Sequence, residues 1–132
     1  MPDRYTLQLG TSVASNTGGP YTATWDRAIV TTAGTIRTVW ASASSISSNA
    51  ITNKVEIYKQ SDAPSHGSNT ATTVLVSPIT LDNDLDAVPG TISQAGATVA
   101  AGDVLELRTN MQTAGAKAGF SGLTATVEIE RT

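Results

Sequence analysis

Leu123, Ala125, Val127 and Ile129 alternate with Thr124, Thr126, Glu128 and Glu130, the two-residue period of a strand with one face buried and the other in water. The same alternation runs through Tyr5, Leu7 and Leu9 against Thr6 and Gln8, through Tyr21, Ala23 and Trp25 against Thr22 and Thr24, and through Val55 and Ile57 against Lys54, Glu56 and Tyr58. Each of these segments reads as a half-buried strand. In VAAGDVLELRTN (99–110), Gly102 and Asp103 supply turn chemistry ahead of the Leu105/Leu107 alternation, so a further strand begins just after them. Thr35 to Ser42 is apolar on both parities, with Ile36 and Trp40 on one and Val39 and Ala41 on the other. That pattern predicts a strand that is central or bulged. Thr72 to Thr80 is also continuous, but Pro78 has no amide to donate. A strand there lies at an edge, is bulged, or ends near Ser77.

Between these runs lie stretches dense in Gly, Pro, Asn, Asp and Ser, which favour turns and leave little room for helices. The one segment with helical character, Asp82 to Val88, meets Pro89-Gly90 at once and predicts no more than a single turn. About eight strands with no βαβ spacing indicate an all-β fold, an antiparallel sandwich or barrel, within one domain of 132 residues. No repeat of fixed period suggests a propeller or solenoid.

Composition narrows the functional classes. Charged residues make up 14% of the chain against about 25% in an average globular protein, so the surface is neutral and rich in hydroxyls. The net charge of -3 is uneven: residues 1–60 carry five Lys/Arg and three Asp/Glu, residues 61–132 three and eight. No cluster of Lys and Arg forms a basic patch, and nucleic-acid binding is not expected. The absence of cysteine removes disulfides, thiolate metal sites and thiol nucleophiles. The first residues carry no apolar signal-peptide core and no apolar run reaches membrane-spanning length, so the expectation is a soluble, unprocessed protein with no membrane partner.

Candidate chemistry is sparse. His66, the single histidine, shares a polar loop with Ser65 and Asp62. A triad needs its members held by a rigid scaffold and normally drawn from separate elements, so these read as a loop tip. Asp82, Asp84 and Asp86 alternate in LDNDLD, but Ala87 and Ser93 stand where a calcium loop of the EF-hand type wants Gly and an acid. They read as solvated carboxylates, with no metal site expected. Glu56, Glu106, Glu128 and Glu130 fall on the polar parity of their strands and are expected to face solvent. Trp25 and Trp40, which could stack on sugars, read as core or subunit-interface residues. Tyr58 shares its parity with Lys54 and Glu56 and is the expected exposed aromatic, a mark of partner contact. The chain is therefore expected to be no enzyme, with no catalytic residue and no cofactor.

Taken in order, AGTIRTVWAS, NKVEIYKQ, TTVLVSPITL, ATVAAGDVLELRTN and GLTATVEIE resemble the jelly-roll domains of tailed-phage virion proteins. The likeness rests on Gly34, Thr35, Ile36, Val39 and Ala41; on Val55 and Ile57; on Val99, Ala101, Gly102, Asp103, Val104, Leu105 and Leu107; and on Leu123, Ala125, Val127 and Ile129. It implies a jelly roll of about eight strands over residues 20–132, preceded by an N-terminal arm or first strand at residues 1–19. It further implies a capsid decoration (cement) protein on the outside of a phage head, bound to the major capsid protein as a homotrimer. Tyr5, Leu7 and Leu9 would then add as a docking strand to a capsid edge, unless they are the first strand of the chain's own sheet. The alternative is a receptor- or carbohydrate-binding tip of a phage fibre, reading its target through loops 61–70 and 110–119. No coiled-coil or collagen-like repeat is present to make a shaft.

Overall fold

The structure, a computed structural model, describes residues 3–16, 21–46, 54–61, 71–111 and 118–132. Within them the strands are β1 (Arg4–Asn16), β2 (Tyr21–Ile29), β3 (Gly34–Ser42), β4 (Ser45–Ile46), β5 (Lys54–Gln60), β6 (Ala71–Thr73), β7 (Ile79–Thr80), β8 (Val88–Pro89), β9 (Thr98–Val99), β10 (Val104–Met111) and β11 (Ala118–Arg131), with a one-turn helix α1 (Gln94–Ala97).

Pairing is nested. The first strand pairs with the last (β1 with β11), β2 with β10, β3 with β8, and β5 with β6, all antiparallel. Wrapping this ribbon on itself adds the contacts of β11 with β3 and of β10 with β5. The result is two sheets, β1-β11-β3-β8 and β2-β10-β5-β6, with β4 and β9 attached to the first and β7 to the second. Eight strands so ordered form a jelly-roll sandwich, the architecture expected from the sequence.

The core lies between the sheets, where the apolar parity of each strand meets: Leu9, Ile36, Val39, Val55, Ile57, Leu105, Leu107, Phe120, Leu123, Val127 and Ile129 are all buried. With one phenylalanine in the chain, branched aliphatic side chains fill the interlayer space. The two-parity segment 35–42 is both central and bulged. β3 lies between β11 and the β8/β9 edge, and its register shifts opposite Glu128/Ile129 so that Arg37 is the extra residue. The expected Gly102-Asp103 turn is present. Gly102 adopts φ +96°, Asp103 N donates to Ala100 O (3.1 Å), and Ala100 N donates to Asp103 Oδ2 (2.9 Å), closing the turn from both sides.

Three expectations are corrected. Thr72 to Thr80 is not one strand: β6 stops at Thr73 and β7 starts at Ile79, both pairing with β5, with Pro78 between them. Asp82 to Val88 holds a tight turn, Asp86 N to Asn83 O (3.4 Å), whereas the helical turn is at Gln94–Ala97. Its place is set by tertiary contact, because a Cβ on Gly96 would lie 2.2 Å from Thr73 O. Glu106 is not solvated: it faces outward from β10 between buried Leu105 and Leu107 yet is only 3% exposed.

Candidate functional site

β1 carries three of the four residues singled out from the sequence. Tyr5 and Leu7 pack against the core and Leu9 lies within it. The Tyr5 hydroxyl donates to Thr32 O (2.6 Å), and the Arg131 guanidinium lies 4.7 Å from the Tyr5 ring centroid. β1 is thus the first strand of its own sheet, and these three side chains serve its own core.

What β1 leaves open is its far edge. Arg131 N donates to Asp3 O (2.8 Å), so antiparallel alternation turns the backbone groups of odd-numbered residues toward β11 and those of Arg4, Thr6 and Gln8 away from it. Among the described residues no strand pairs with that edge. One group on it is satisfied internally: Gly10 N donates to Asp26 Oδ2 (2.8 Å) of β2. Arg4, Thr6 and Gln8 are exposed.

The outer face of the same sheet carries a lattice of charge. Arg4 bridges Glu128 (2.6 Å) and Glu130 (3.4 Å), and Arg37 reaches Glu130 (3.2 Å) from β3. Hydrogen bonding from Arg37, with the charges of Arg37 and Arg4, holds the Glu130 carboxyl below its ordinary range. Farther along, Trp40 is 44% exposed between Thr126 and Pro89, on an uncharged stretch that also holds Ser42 and Thr124. Trp25 does go inward: its Nε1 donates to the buried Thr109 hydroxyl (2.6 Å).

Tyr58 lies on the outer face of the second sheet, half-buried rather than freely exposed. The Arg108 guanidinium stacks 4.2 Å from its ring centroid. Burial pushes the Tyr58 hydroxyl up, and Glu56 adds to the rise by charge and hydrogen bonding, against a smaller opposing effect of Arg108. Beneath this layer Glu106 accepts from Arg27 Nε (2.7 Å), Gln60 Nε2 (3.2 Å) and Arg108 Nε (3.1 Å). Burial alone would raise the Glu106 carboxyl. The hydrogen bonds from Arg27, Gln60 and Arg108, with the Arg108 charge, outweigh it and hold the carboxyl below its ordinary range. Strand parity identified the face, but three long side chains folding over the carboxylate were not legible in that pattern.

Asp82, Asp84 and Asp86 are exposed, and Asp84 Oδ1 accepts from Ile46 N (2.8 Å). Among the described residues no group of three His, Cys, Asp or Glu is placed to hold a metal. Asp62, Ser65 and His66, and loop residues 112–117, lie outside the described residues. No described helix is long and apolar enough to cross a membrane.

No family model matches the chain, and no curated protein matches it. Among solved structures, that of the infectious bursal disease virus Gx strain matches with a TM-score of 0.48 and 16% identity, over 98% of this chain and 32% of the viral one. The chain therefore spans about a third of the length of that structure, and at this score the likeness carries no argument about role.

Proposed function

We propose that this protein is a structural component of a virion: a decoration protein that binds the outside of a phage head, as a homotrimer, through contact with the major capsid protein. Two lines support the reading. The strand-by-strand resemblance to tailed-phage virion domains implies a jelly roll, and the nested pairing is that of a jelly roll. The observation that carries it is the β1 edge at Arg4, Thr6 and Gln8, which no strand among the described residues pairs with.

An edge of this kind is a template for an extended segment of another chain, with affinity from main-chain hydrogen bonds. Tyr5, Leu7 and Leu9 keep it straight by anchoring the strand from the inside. Tyr58 with Arg108 over its ring offers a second contact, of the aromatic and arginine composition found in interface centres.

The test is binding to phage heads that lack the protein, comparing the wild type with Thr6→Pro. Proline at position 6 removes a donor that points off the sheet and leaves the β1–β11 bonds in place. Co-sedimentation of the wild type at high copy, lost in a folded Thr6→Pro variant, is the expected result. A cryo-EM map of the native particle then separates the roles: density over the head surface fits decoration, and density confined to a fibre end fits the receptor-binding alternative. Absence of the chain from purified particles overturns both.

A further inference from the structure

β3 has a gap along one side. β9 pairs with it at Gly34 and Thr35, β8 pairs with it at Trp40 and Ala41, and Gly90 N donates to Val39 O (2.9 Å). Between these points the chain detours away from β3 onto the segment that follows β6: Ile92 bridges to Leu75, and Ser93 N donates to Val74 O (2.7 Å). The detour is fixed in place, since Gly96 packs so closely on Thr73 and Val74 that no side chain fits there. It leaves a cleft of about 430 Å³, within the size range of small-molecule sites.

The lining sorts by chemistry. Ile92 and Ala97 give it apolar surface above the buried Ile36, Thr35, Thr98 and Gln94 bring hydroxyls and an amide, and among the described residues Arg37 is its one ionisable side chain. Arg37, the extra residue of the β3 bulge, stands at the cleft rim. Glu130 grips one edge of its guanidinium, through Nε (3.2 Å) and Nη2 (3.4 Å). The rest of the fork remains to donate, and Glu130 divides its charge between Arg37 and Arg4.

We infer that this cleft binds an acidic monosaccharide unit, its carboxylate on the outer edge of Arg37, its hydroxyls on Thr35, Thr98 and Gln94, and the C–H face of its ring against Ile92 and Ala97. A free amino acid fits worse, because among the described residues no carboxylate lines the cleft to meet an ammonium group. A fatty acid fits worse because half of the lining is polar. The inference does not depend on the virion role: it stands on the cleft alone.

The test is an NMR titration of the full chain with glucuronate, N-acetylneuraminate and, as neutral control, glucose. Expected are saturable amide shifts confined to residues 35–37 and 92–98 with at least one acidic sugar, the tighter of the two naming the sugar class, and binding of glucose about tenfold weaker or less. Arg37→Gln is expected to weaken the acidic sugar about tenfold, the loss of a charge-assisted bidentate contact. Gln94→Ala, at an exposed position of α1, is the second variant and is expected to weaken it about threefold. No response at these residues to either acid, equal affinity for glucose, or unchanged affinity in both variants overturns the assignment.

Discussion

The Gly10 amide donates to Asp26 Oδ2 at 2.8 Å, tying the edge strand of one sheet to the edge strand of the other at the corner of the sandwich. The bond gives a part-buried, outward-facing donor of β1 its acceptor. Asp26→Ala is expected to cost about 1–2 kcal/mol, the penalty for a part-buried amide left without an acceptor. Urea unfolding measures it, and Asp26→Asn, which keeps an acceptor oxygen, is expected to recover most of the loss.

Leu9 is 2% exposed in the middle of β1, so this strand cannot be removed as an appendage. Leu9→Ala is expected to destabilise by about 2–4 kcal/mol, whereas Thr6→Ala on the exposed parity of the same strand is expected to stay within about 0.5 kcal/mol. Deleting residues 1–9 is expected to abolish cooperative unfolding. A truncated chain that melts like the wild type would show that β1 contributes nothing to the fold.

Glu106 gives stability a pH dependence of known sign. Its carboxyl is held below the ordinary value of 4.5 in the folded protein, so the unfolded chain takes up the proton first. The stabilisation is complete well above that value and is lost as pH falls through the lower folded value. Melting temperature is expected to drop in acid, and Glu106→Gln is expected to melt lower than wild type at neutral pH with the gap narrowing in acid. A constant gap across the titration would mean that the carboxylate charge contributes nothing.

Leu85 has φ +60° and is 77% exposed, in a turn pinned by its own amide to Ala43 O (2.8 Å). A leucine there bears the left-handed backbone strain with no burial to offset it. Leu85→Gly is expected to raise stability by about 0.5–1 kcal/mol, read as a higher denaturation midpoint. A fall instead would mean that the exposed side chain makes a stabilising contact.

Gly96 has the opposite constraint. A methyl group there would lie 2.2 Å from Thr73 O and 2.8 Å from the Val74 Cα. Gly96→Ala is expected to cost about 1–3 kcal/mol and to displace the amides of residues 92–98 in an NMR spectrum. An unshifted spectrum would show that α1 is not held by this contact.

Alternation alone was enough to place β1, β2, β5, β10 and β11 and to give the side of β1, β5, β10 and β11 that turns inward, because a strand's period of two is written in neighbouring residues. For β3, apolar residues on both parities predicted a strand that is central or bulged, and it is both. Local signals failed where a long-range partner decides the outcome. β6 and β7 exist because β5 offers them an edge, and α1 exists because Gly96 fits against Thr73. Glu106 is buried because Arg27 of β2 and Gln60 of β5, from the two neighbouring strands, close over it together with Arg108 of its own strand. The cleft beside Arg37 is of the same kind: it depends on which segment fails to pair with β3, and that is settled by how an eight-strand ribbon wraps, not by any residue read in sequence.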